Sequence, residues 1–108
     1  MDEEKVLPPS IGTKIPILVE ADLGESHMED VDFECKFYTD VFKKGIVLKK
    51  EDMFYVDKDS YIAIVDTSKI GLGQYWLRLT ANIPDPRLTE GVRPEVVSIP
   101  LEGINVVP

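Results

Sequence analysis

Hydrophobic and polar positions alternate most regularly in YWLRLTANI, residues 75–83. Tyr75, Leu77, Leu79, Ala81 and Ile83 fall on one side of an extended chain; Trp76, Arg78, Thr80 and Asn82 fall on the other. A period of two sustained over this length predicts a strand with one buried face. VDFECKFYT, residues 31–39, repeats the pattern, with Val31, Phe33, Cys35 and Phe37 inward and Asp32, Glu34, Lys36 and Tyr38 outward. KIPILVEADL (Lys14 to Leu23) predicts a first strand, with Pro16 marking an edge or a strand start. IVLKK (Ile46 to Lys50) and MFYV (Met53 to Val56) flank Glu51-Asp52 and predict a hairpin. YIAIVD (Tyr61 to Asp66) is rich in β-formers, and Ile62 and Ile64 are expected in the core. EVVSIPLEGINVV (Glu95 to Val107) predicts one or two closing strands, broken near Pro100 or Gly103.

No segment sustains an apolar pattern at the helical period. Roughly seven strands at spacings near ten residues predict an all-β fold, a small antiparallel sandwich. Residues 1–13, punctuated by Pro8-Pro9 and Gly12, are expected as a flexible tail, and residues 14–108 as one domain. In DTSKIGLG, Asp66, Thr67 and Ser68 predict a side-chain-stabilised turn, starting a single helical turn through Lys69. Gly71 and Gly73 are expected to take positive φ where the chain swings round into the long strand. GESHMED, DVFKKG and DKDS are expected as polar connections, and PDPRLTEGVRP (Pro84 to Pro94) as a long loop carrying Arg87 and Arg93.

Composition narrows the partners. The chain has 108 residues, 44% hydrophobic and 30% charged, which supplies one real core. Its net charge of −8, without a basic patch, argues against nucleic acid and against an anionic membrane surface. No apolar run approaches the ~20 residues of a membrane span. The start, MDEEKVLPPS, lacks the basic head and apolar middle of a signal peptide, although removal of such a peptide would leave the same picture. A single cysteine, Cys35, forms no intrachain disulfide and no cysteine-based zinc site.

Candidate chemistry is sparse. His27, the one histidine, neighbours Ser26 and Glu29 in a loop, which does not preorganise a hydrolytic triad. Cys35 between Phe33 and Phe37 is expected as an inert core thiol. Asp57, Asp59 and Ser60 offer calcium-type oxygens but lack the other ligands and the glycine of a calcium loop. Gly71-Leu72-Gly73 is followed by no Lys-Ser/Thr and is not a phosphate loop. No enzymatic activity, cofactor or metal is therefore expected. The candidate interface is Tyr38, Trp76, Arg78, Arg87 and Arg93: aromatic and arginine side chains on outward positions or in the long loop.

The turn and tyrosine of DTSKIGLGQYWL resemble the immunoglobulin fold, in which a tyrosine opens a strand two residues before an inward core position. On that resemblance Cys35 takes the place of the other core cysteine, and Leu77 is its counterpart across the sheets. The antibody-type tryptophan is missing from Ile46, Val47 and Leu48. More closely, FECKFYT, IAIVDTSKIGLGQYWLRLTANIPDP and RPEVVSIPLEGINVV resemble small immunoglobulin-like proteins of Bacteroides-type bacteria and their prophages. The layout from Val31 to Val107 is also similar to N-terminal sandwich domains of phage baseplate and tail-fibre proteins. The resemblance implies a structural or assembly module, in a virion or in the cytoplasm before assembly. Its partners would be other protein subunits, copies of the same chain included. The alternative is a bacterial surface or secreted domain that binds protein or glycan, with Trp76 and Tyr38 stacking on a sugar ring.

Overall fold

The computed structural model describes residues 9–39 and 45–108. Seven strands follow in chain order: β1 (Lys14–Glu20), β2 (Asp32–Thr39), β3 (Gly45–Lys49), β4 (Phe54–Asp57), β5 (Ser60–Asp66), β6 (Gly73–Pro84) and β7 (Val92–Val106). They form two antiparallel sheets, ordered β1-β5-β4 and β3-β2-β6-β7. This is an immunoglobulin-like sandwich without a disulfide, its one cysteine buried and free. Residues 1–8 of the expected tail and residues 40–44 of DVFKKG lie outside the described residues. The rest of that tail is bonded to the domain: Ser10 bridges Val107 in parallel, and Thr67 donates its amide and its hydroxyl to the Thr13 carbonyl.

The alternating segments behave as their pattern dictates. Phe33, Cys35 and Phe37 of β2 and Tyr75, Leu77, Leu79, Ala81 and Ile83 of β6 are buried. Opposite them lie Ile17 and Val19 of β1 and Tyr61, Ala63 and Val65 of β5. Phe33 and Tyr61 meet edge to face with ring centroids 5.2 Å apart, joining the two sheets. Met28, Val31, Met53, Ile70 and Val106 plug the ends of this core.

Several expectations need correction. Ile62 is half-buried and Ile64 is 41% exposed, while Tyr61, Ala63 and Val65 face inward. The run YIAIV is apolar at every position, so alternation alone does not select its face; pairing with β1 and β4 does. IVLKK and MFYV do not form a hairpin. β3 pairs with β2 and β4 with β5, and the 3-10 turn Lys50–Asp52 carries the chain from one sheet to the other. Asp52 accepts from the Lys49 amide at 3.0 Å, making this short acidic stretch a crossover. Cys35 and Leu77 are not counterparts across the sheets. Both strands belong to one sheet, in which Cys35 pairs with Leu79 and Phe37 with Leu77. Across the sheets, Val19 of β1 shares the lining of one cavity with Leu77 and Leu79. The expected loop from Pro84 to Pro94 is also shorter. β6 and β7 stay paired up to Pro84 and Val92, which leaves Asp85 to Gly91 as the loop and puts Arg93 on a strand.

β7 tolerates Pro94 and Pro100 because it is an edge strand. A proline cannot donate to the ladder, so both must turn their nitrogens to the free edge. The expected break in this strand takes the form of a bulge. Trp76 pairs with Pro100 but Gln74 pairs with Asn105, and the Gln74 side-chain amide donates to the Leu101 carbonyl at 2.6 Å within it.

Candidate interaction surface

The register of the four-stranded sheet sets its outward side chains in rows. Gly45, Tyr38, Trp76 and Pro100 are successive partners across β3, β2, β6 and β7. The next row is Val47, Lys36, Arg78 and Ser98, and the row after that Lys49, Glu34, Thr80 and Val96. An aromatic row flanked by proline therefore lies beside a row with two cations. Glycine is required at the end of the first row. A Cβ at Gly45 would fall 2.7 Å from the Phe37 carbonyl oxygen and 2.9 Å from the Tyr38 Cβ.

Tyr38 and Trp76 are half-buried and Arg78 is exposed. The Lys36 ammonium sits 5.7 Å from the centre of the Tyr38 ring, a cation–π contact. Lys36 and Arg78 are direct cross-strand neighbours, and among the described residues neither has an acidic partner within ion-pair distance. Like charges placed opposite one another on a sheet are unfavourable. The strand register nonetheless sets this pair side by side.

Tyr38, Trp76 and Arg78 are thus brought together, whereas Arg87 and Arg93 are not. β6 runs eight residues from Trp76 to Pro84, roughly 27 Å at strand rise, and the two remaining arginines gather at its far end. There Asp85, buried, accepts from the Arg87 Nε and NH2 atoms at 3.0 Å each and from the Arg87 amide at 3.1 Å. Arg93 stands 3.9 Å from the same carboxylate and 3.1 Å from Glu95. Those hydrogen bonds from Arg87 hold the Asp85 carboxyl below its usual range. The loop closes with the Asp85 amide on the Gly91 carbonyl. Asp85 organises this turn, and an aspartate two residues before an arginine in PDPR was the available signal.

Three connections meet at that end of the sandwich: residues 21–31, the crossover at 50–52 and the loop at 85–91. The Lys50 ammonium donates to the Glu29 and Val31 carbonyls, tying two of them together. A cleft of about 370 Å³ runs between Leu23–Ser26 and Ile83–Arg87, with Arg93 on its wall.

Of the residues weighed for catalysis, His27 lies in the first of these connections and Cys35 within β2. His27 Nδ1 is 3.1 Å from Asp59, whose carboxylate also accepts from the Met28 amide. Asp57 caps the Asp59 amide at 2.9 Å. These carboxylates thus hold the 57–60 turn and the preceding loop together. Among the described residues no three His, Cys, Asp or Glu side chains are grouped to hold a metal ion. Cys35 is fully buried, and burial, reinforced by the neighbouring Glu34 charge, pushes its thiol pKa up to about 12.

No protein-family model, curated protein or solved structure matches this chain.

Proposed function

We propose that the protein is a non-enzymatic binding and assembly module that engages a partner protein through the outer face of its four-stranded sheet. The observation that carries this reading is the alignment of Tyr38 with Trp76 beside Lys36 with Arg78. Tyr, Trp and Arg are the side chains in which binding energy concentrates at protein interfaces. The paired cations favour a partner that brings carboxylates, and they stand out on a chain with net charge −8. A structural part of a phage or prophage tail or baseplate is the setting that the sequence resemblance implies for such a module. A surface domain that binds glycan would use the same Tyr38–Trp76 row as a stacking platform.

The test is co-expression with the products of neighbouring genes, followed by copurification of the wild type and of the double variant Trp76→Ala/Arg78→Glu. Copurification that the double variant loses supports the reading; copurification that survives it removes this face from consideration. Trp76 is the one tryptophan in the chain, so its fluorescence reports directly on the face. A spectral shift on titration with purified polysaccharide, without any protein partner, moves the reading to glycan.

A further inference from the structure

The outer face of the three-stranded sheet carries an apolar field that the core does not use. Leu18, Ile62 and Phe54 are register partners across β1, β5 and β4, so their side chains form one row. Pro16 and Ile64 form the next. Leu18 is 53% exposed, Phe54 62% and Ile64 41%. Scattered apolar residues on a surface are ordinary, but a contiguous field across three strands marks a contact surface.

Charges stand at both ends of this field. Beyond Leu18 and Ile62 the row is Glu20, Ser60 and Asp57. Beyond Pro16 and Ile64 it is Lys14 and Asp66. On β1 the face therefore runs from base to apolar to acid.

That sequence of charge is complementary to itself. Consider two copies face to face, related by a two-fold axis between the sheets and perpendicular to the strands. The axis reverses strand direction and keeps β1 over β1. Lys14 then lies over Glu20 of the second copy, Pro16 over Leu18 and Ile62 over Ile64, each contact occurring twice as an isologous interface requires. Phe54, at the level of Ile62, closes over the second copy's Ile64 row. An axis along the strands would instead set Asp66 over Asp66 and Glu20 over Asp57, which is repulsive. We infer that this face is a homodimer interface, with a second copy of the chain packed by the perpendicular two-fold. The inference is independent of the Tyr38–Trp76 face, which lies on the other side of the sandwich.

Sedimentation equilibrium of the full chain tests it. The wild type is expected to dimerise, and Leu18→Lys or Phe54→Lys to weaken the dimer by about tenfold or more. Both positions are exposed, so the variants keep the fold, as circular dichroism and a thermal melt verify. Lys14→Glu alone and Glu20→Lys alone are each expected to favour monomer. An equal mixture of the two is expected to recover a heterodimer, because each Glu then meets a Lys at both contacts. Trp76→Ala should leave the dimer unchanged. A wild type that stays monomeric up to about 1 mM overturns the inference. So does a dimer indifferent to both Leu18→Lys and Phe54→Lys, or a charge-variant mixture that recovers nothing.

Discussion

The Tyr75 hydroxyl donates to the Gly71 carbonyl at 2.7 Å, four residues back along the chain. The ring is fully buried at the start of β6, and the Thr67 carbonyl is a second, longer acceptor at 3.4 Å. A buried hydroxyl needs a partner, and the turn offers carbonyls that strand pairing leaves free. Gly71 and Gly73, both at φ 111°, let the chain fold back far enough to present them. Tyr75→Phe is expected to cost roughly 0.5–1.5 kcal/mol in urea denaturation, the net worth of one hydrogen bond.

Trp76 is half-buried against its row, so its removal reaches the fold as well as the surface. Trp76→Ala is expected to lower stability by about 1 kcal/mol, the upper end for one cross-strand side-chain pair. A double-mutant cycle with Tyr38→Ala should give a coupling of about 0.5 kcal/mol. Additive losses would mean that the two rings do not touch.

Cys35 should react slowly with thiol reagents in the native state and quickly in denaturant, because burial holds it as the neutral thiol. Cys35→Ala is expected to cost on the order of 1–2 kcal/mol from lost burial and a small cavity. Its pKa is raised in the fold, so its ionisation linkage favours the native state fully below the ordinary value of 9.0. That contribution is lost as pH rises toward about 12. The stability gap between wild type and Cys35→Ala should therefore narrow above pH 9.0, as alkaline denaturation curves would record.

Asp85 carries the opposite linkage. Its pKa is depressed, first by the Arg87 side chain and then by the Arg87 amide. Its contribution is complete above the ordinary value of 3.8 and is lost as pH falls through the depressed one. Asp85→Asn or Arg87→Ala should speed amide exchange at Leu88 and Gly91, whose bonds close the loop, with β2 unaffected. In the wild type the same loosening should appear only under acid conditions.

The face of β5 can be checked directly. Val65→Ala is expected to cost about 2 kcal/mol, and Ile64→Ala, on the exposed side, less than about 1 kcal/mol. Equal losses in thermal melts would contradict the inward placement of Val65.

Strand identity was legible wherever polar residues alternate with apolar ones. In β2 and β6 each outward charge states which side meets water, and every inward residue from Phe33 to Phe37 and from Tyr75 to Ile83 is buried. The corner at Tyr75 was legible for the same kind of local reason, since turn chemistry and a tyrosine needing an acceptor lie within a few residues. The crossover between β3 and β4 was not. Lys50–Asp52 has the composition of a hairpin turn, and only the sheets competing for those two strands determine where each one pairs. Nor did YIAIV say which of its faces is inner, because apolar side chains at every position satisfy either choice. The tertiary structure made that choice by burying Tyr61 against Phe33, and it thereby turned Ile62 and Ile64 outward beside Leu18 and Phe54. Local pattern fixes which residues can be strand and which must stay wet. The partner of each strand, and the surface left over once the core is filled, are decided by contacts between segments far apart in the chain.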